Sequence, residues 1–177
     1  MTQVWYHWHR VWIYVVLLIP LAVLVVVALT KARPSKSWRR STAEVGMFLG
    51  TLPWIWMILT PMELPPDAVR VYLVPFSDLW AQLTVGEPFF VFVQVGGNLL
   101  VLFALGAFTP LRFAKMASLS RLLLLGLAVS VTVELLQHAF VGGRVFSVDD
   151  VLLNALGCVL GGVVSLPWWR PREATQS

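Results

Sequence analysis

The sequence predicts an all-α integral membrane protein, a five-transmembrane-helix bundle with a short outer interfacial helix. Three observations carry this. The 177 residues are 58% hydrophobic and only 12% charged, with a mean hydropathy of +0.79, whereas soluble domains carry about 25% charged residues. Five apolar runs are each long enough to cross a hydrocarbon core about 30 Å thick as a helix. The basic residues are also distributed unequally between the connections, as membrane orientation requires.

The first run, residues 11–29, follows an aromatic start with Trp5, Trp8 and Trp12 and lacks a small-x-small cleavage site, so it reads as a retained span rather than a signal peptide. The others cover roughly 45–62, 89–110, 122–141 and 151–169, with Pro20 and Pro53 as expected kinks. Between spans two and three, residues 63–88 are too long for a tight turn. Leu73, Phe76, Trp80 and Leu83 recur there at spacings of three and four, the signature of a helix with one apolar face lying at the outer interface. That helix either anchors the chain or roofs a cavity. Residues 1–172 form a single domain, and 173–177 a short C-terminal tail.

Lys31, Arg33, Lys36, Arg39, Arg40, Arg112, Lys115, Arg121, Arg170 and Arg172 fall on one side, leaving Arg10, Arg70 and Arg144 on the other. The basic side is expected in the cytoplasm, with the N-terminus outside and the C-terminus inside, which needs an odd number of spans. A net charge of +4 therefore reports orientation, and nucleic acid is not an expected partner. The opposite side carries Glu63, Asp67, Asp78 and Glu87, read as a solvated surface, and then Asp149 and Asp150. A chain of this composition leaves no room for a large soluble catalytic domain. The single cysteine, Cys158, excludes an internal disulfide and a thiolate metal cluster. His7-x-His9 is too thin to predict a metal, and no cofactor is expected.

Polar residues inside the apolar runs point to function. Glu134 lies about 10–12 Å inside the outer end of span four at ~1.5 Å per residue, where an ionisable group is costly and marks a site by default. Gln137 and His138 follow at i+3 and i+4 on the same face. In span five, Asp150, Asn154 and Gly157 share a stripe that Gly161 extends. Asp149 suits helix capping, and Asp150 suits capping or function equally. Gly157 and Gly161 suit close helix packing. Span three carries Gly96 and Gly97, which weaken a helix and permit close approach or a local break. Asn98 follows them as interhelical glue or a ligand contact. Arg144 suits an anionic group or an internal salt bridge. Asn98, Glu134, Gln137, Arg144, Asp150 and Asn154 all map to the outer half of the bilayer, and three helices with polar groups at one depth can enclose an outward-facing pocket.

In order along the chain, Val74-Pro75-Phe76, the run from Gly97-Asn98 through Phe103-Ala104-Leu105-Gly106, Glu134-Leu135-Leu136-Gln137, Arg144, and Asp149-Asp150 with Asn154 and Gly157 resemble the VanZ-like family over residues 71–162. The resemblance implies a small multi-span protein of the bacterial cytoplasmic membrane, in a family whose founding member confers low-level resistance to the glycopeptide antibiotic teicoplanin. The family pattern falls on the same six residues, Asn98 to Asn154. Ala104 departs from it, because the family often has proline there. Two functions follow from this reading. The first is an envelope protein whose pocket binds a lipid-linked cell-wall molecule or a lipoglycopeptide. The second is an intramembrane enzyme acting on a lipid-phosphate or cell-wall precursor, with Glu134 or Asp150 as acid or base and Arg144 stabilising negative charge. Proton-coupled transport ranks behind both, since five spans lack an even inverted repeat.

Overall fold

A computed structural model describes residues 2–34, 37–61, 71–141 and 145–169. Among the described residues are seven α-helices: α1 (Thr2–Ala32), α2 (Trp38–Ile58), α3 (Ser77–Val85), α4 (Pro88–Val101), α5 (Phe103–Arg112), α6 (Leu119–Phe140) and α7 (Val148–Trp169). Two short strands, β1 (Val71–Tyr72) and β2 (Phe146–Ser147), pair in parallel with Val71 opposite Phe146. The chain entering α3 therefore runs beside the chain entering α7.

Three described segments are long and apolar enough to cross a membrane: Pro88–Arg112, which joins α4 and α5, then α6 and α7, with Val16–Ala32 of α1 a shorter apolar stretch. The helices are thus compatible with a membrane protein. α2 is more polar, because it opens on Arg39, Arg40, Ser41 and Thr42 with Glu44 close behind. Pro20 and Pro53 lie inside α1 and α2, and neither helix ends there. A helix does form in the 63–88 connection, as α3. The tail 173–177 lies outside the described residues.

Local chemistry sets the helix starts. Ser37 caps α2, its hydroxyl accepting from Arg40 N at 3.3 Å. Glu87 caps α4 by accepting from Phe90 N at 3.3 Å, and Pro88 occupies the first helical position, where its missing N–H costs nothing. Asp78 is not the solvated surface carboxylate expected from sequence. It is buried in the first turn of α3, where the helix dipole favours a negative charge.

Span three breaks, but not at its glycines. Gly96 and Gly97 remain inside α4, and the interruption falls at Leu102, after which the next helical hydrogen bond runs from Gly106 N to Leu102 O at 3.0 Å. Ala104 is therefore the second residue of a new first turn, a position that tolerates proline. The proline frequent in the family and the alanine here are both compatible with this break.

α7 is the central element, packing on α4, α5 and α6. The helices meet backbone to backbone. A Cβ built at Gly157 would stand 2.0 Å from Leu99 O, and one at Gly161 2.0 Å from Phe103 O. Both glycines are thus required by close approach, as is Gly106, whose Cβ would reach 1.8 Å from Cys158 O. Val101, Leu102, Leu122 and Cys158 form the buried core beside this seam. On its other flank α5 packs against α2, where Ala104 faces Gly50.

Candidate functional site

α6 presents a polar stripe to α7. Ser130, Glu134 and Gln137, spaced i, i+4 and i+7, are all buried, Glu134 to 3% exposure. α7 answers with Asp150 and Asn154 on consecutive turns, and α4 contributes Asn98. Asn98 Nδ2 donates to the Asp150 carboxylate. Asn154 Nδ2 donates to Ser130 Oγ at 2.9 Å. The 2% exposed Asn154 keeps a buried Oδ1 with no hydrogen-bond partner among the described residues. Gln137 Nε2 donates to the Ile58 carbonyl at 2.7 Å, satisfying an acceptor that the last turn of α2 would otherwise leave open.

These side chains border one cavity of about 420 Å³. Gln94, Asn98, Glu134, Gln137, Asp150 and Asn154 are its polar residues, and Trp54, Met57, Ile58, Phe90, Phe92 and Val93 supply apolar wall. Gly96 and Gly97 also border it, and a Cβ at either meets no atom within 4 Å. The paired glycines thus leave space at the cavity instead of breaking the helix. Two carboxyl groups and four amides in an apolar enclosure can orient a polar group by hydrogen bonds, and a carboxyl there can exchange a proton.

Five of the six residues singled out from sequence therefore meet at one cavity. Arg144 lies outside the described residues. His138 does not join them: it is exposed and meets Phe146 edge-on, ring centroids 6.1 Å apart. The buried face of α6 is centred on Gly126, Ser130, Val133, Glu134 and Gln137, which turns His138 outward. Sequence reasoning missed Ser130, although its place one turn before Glu134 carried the signal, and it missed Gln94, an amide in the apolar run of span three one turn before Asn98 that also lines the cavity. It also missed the wall from Trp54 to Val93, because apolar residues in an apolar run carry no signal.

Asp149 does cap a helix, but not its own. Its carboxylate accepts from Phe76 N at 2.5 Å and Leu79 N at 2.9 Å, holding the start of α3. Phe76 has φ 68, the left-handed region that bulky residues rarely adopt. Adjacent acids thus divide the work, Asp149 fixing α3 and Asp150 bordering the cavity.

At the opposite end of the bundle, Glu44 pairs with both Arg33 and Arg112, tying α2 to the end of α1 and the last turn of α5. Glu44 precedes the apolar run of 45–62. The hydrogen bond from Arg33, with a further one from Arg112, outweighs partial burial and holds its carboxyl below the usual 4.5. Among the described residues no group of three or more His, Cys, Asp or Glu is placed to hold a metal ion.

Apolar helices enclosing buried carboxyl and amide groups define a helical bundle compatible with a membrane protein. A family model described as VanZ/LLP1 matches residues 47–169, and the chain belongs to that family. The match takes in most of α2, where Trp54, Met57 and Ile58 complete the cavity wall. No curated protein matches the chain. No solved structure matches it either.

Proposed function

We propose that this VanZ-family protein crosses the bacterial cytoplasmic membrane five times, N-terminus outside, and binds a lipid-linked cell-wall molecule or a lipoglycopeptide in an outward-facing pocket. The observation that carries this is the amphiphilic cavity, with polar Asn98, Glu134, Gln137, Asp150 and Asn154 and an aromatic and aliphatic wall. A ligand with a hydroxyl- or amide-rich head and an apolar tail matches both parts. In this reading α3 lies at the outer interface, with Trp80, Leu83 and Val85 exposed toward lipid. Arg144 meets an anionic part of the ligand.

A second reading has one observation in its favour: two carboxyl-bearing residues, Glu134 and Asp150, border the same cavity. One could serve as acid or base on a lipid-phosphate or cell-wall precursor. Teicoplanin susceptibility separates these ideas from no role at all. A sensitive host expresses the native chain, Glu134→Gln, Asp150→Asn or Arg144→Ala at matched membrane abundance. Reduced susceptibility that all three variants lose supports the pocket. Reduced susceptibility that none of them alters refutes the site, and no native effect refutes the teicoplanin part. Purified protein that alters a lipid-linked precursor, with loss of turnover in Glu134→Gln, selects the enzymatic reading over binding alone.

A further inference from the structure

At the end of the bundle away from the carboxylate cavity, a second hollow of about 330 Å³ opens where the start of α2, the end of α5 and the end of α7 converge. Its rim carries Ser37, Arg39, Arg40 and Arg112, with Leu111 and Trp169 among its apolar lining. The charge here is unbalanced. Glu44, which pairs with Arg112 of the rim, is shared with Arg33, and among the described residues no carboxylate pairs with Arg39 or Arg40. Arg39 is held in place, because one Nη donates to the Trp168 carbonyl, and the rest of its five-donor fork remains available. The Arg40 backbone N–H is taken by Ser37 Oγ while its guanidinium stays exposed. The guanidinium groups of Arg39 and Arg40 with the Ser37 hydroxyl suit an oxygen-rich anion, and Leu111 and the Trp169 ring, whose N–H is donated to Gly162 O and Ser165 Oγ, suit an apolar chain beside it. Simple orientation by basic residues would require no concavity and no fixed arginine.

We propose that this hollow binds a phosphate group, that of an anionic lipid on the basic side of the membrane. The proposal rests on the orientation given above for placing the hollow at the cytoplasmic leaflet, where anionic headgroups attract juxtamembrane arginines. It is independent of what the carboxylate cavity binds.

The test is native mass spectrometry of the purified full chain with phosphatidylglycerol or phosphatidylcholine, with and without excess inorganic phosphate. Phosphatidylglycerol should bind more tightly, and Arg40→Gln and Arg39→Gln should each weaken it about tenfold, as for loss of one charge-assisted hydrogen bond to the phosphate. Lys31→Gln, equal in charge change but not at the hollow, should leave binding unchanged. Because Arg40 is exposed, its variant should fold, which melting of the same sample checks independently. If inorganic phosphate displaces the lipid, the phosphate group alone is recognised and a free anion can occupy the site. If it does not, the lipid is the occupant. Equal binding of the two lipids, or equal loss in Lys31→Gln and Arg40→Gln, overturns the proposal. Binding by the purified chain does not depend on which leaflet this end faces, so an error in the orientation leaves these outcomes unchanged.

Discussion

Asp149→Ala should release the start of α3. The native carboxylate accepts two backbone hydrogen bonds, from Phe76 N at 2.5 Å and Leu79 N at 2.9 Å. Bonds to a charged acceptor contribute about 1.5–3 kcal/mol each. The substitution also leaves the left-handed backbone of Phe76, which costs about 1–2 kcal/mol, without the contact that offsets it. The pairing of β1 with β2 and the packing of α3 on α4 and α7 survive. The net loss is therefore the low end of the hydrogen-bond sum, about 3 kcal/mol, or roughly a hundredfold in the local opening equilibrium. Hydrogen exchange reads this directly, since the amides of Phe76 and Leu79 are the two donors. Their protection should fall about a hundredfold, that of Val101 and Leu122 should not change, and Asp149→Asn should lie between. Unchanged exchange at Phe76 and Leu79 would refute the assignment, as would an equal loss across the core.

Three further outcomes are expected. Gly97→Leu should fill the cavity while raising helix stability by up to about 1 kcal/mol, so thermal melting should hold or rise while any pocket-dependent phenotype disappears; a retained phenotype would place the site elsewhere. Ala104→Pro should be tolerated, with a gain of about 0.4–1 kcal/mol from a stiffer unfolded chain, and a large drop in melting temperature would show that Leu102 does not start a new helical turn. Glu44→Gln should cost about 1–2 kcal/mol at neutral pH by dissolving the pairs with Arg33 and Arg112. Because Arg33 foremost holds the folded-state pKa of Glu44 below 4.5, that contribution is complete above 4.5 and is lost as pH falls through the lowered folded value. The variant should lack this acid-side slope, and identical slopes would discount the ion pairs.

How much of this was legible in the sequence depended on whether a residue contrasted with its surroundings. Glu134, Asp150, Asn98, Gln137 and Asn154 stood out because polar groups in apolar runs need partners, and five of them border one cavity. Asp149 was legible as a cap, but its target lies about seventy residues away, and no local pattern reports a contact at that separation. The pair Gly96 and Gly97 predicts close approach or a break; the close approach is instead at Gly157 and Gly161, and the break falls at Leu102. His138 shows the limit of i+4 reasoning, since a 40° drift per step is enough to leave a narrow buried stripe.

The central position of α7 has a consequence for biosynthesis. It follows α1 to α6 in chain order, yet it supplies the partner for Asn98, for Ser130 and for the amides that open α3. Until it leaves the ribosome, these groups and the glycine-matched carbonyls of α4 and α5 must be shielded by the insertion machinery or by water. In the proposed membrane topology the earlier helices can enter one by one, but the cavity comes into being in a single late step.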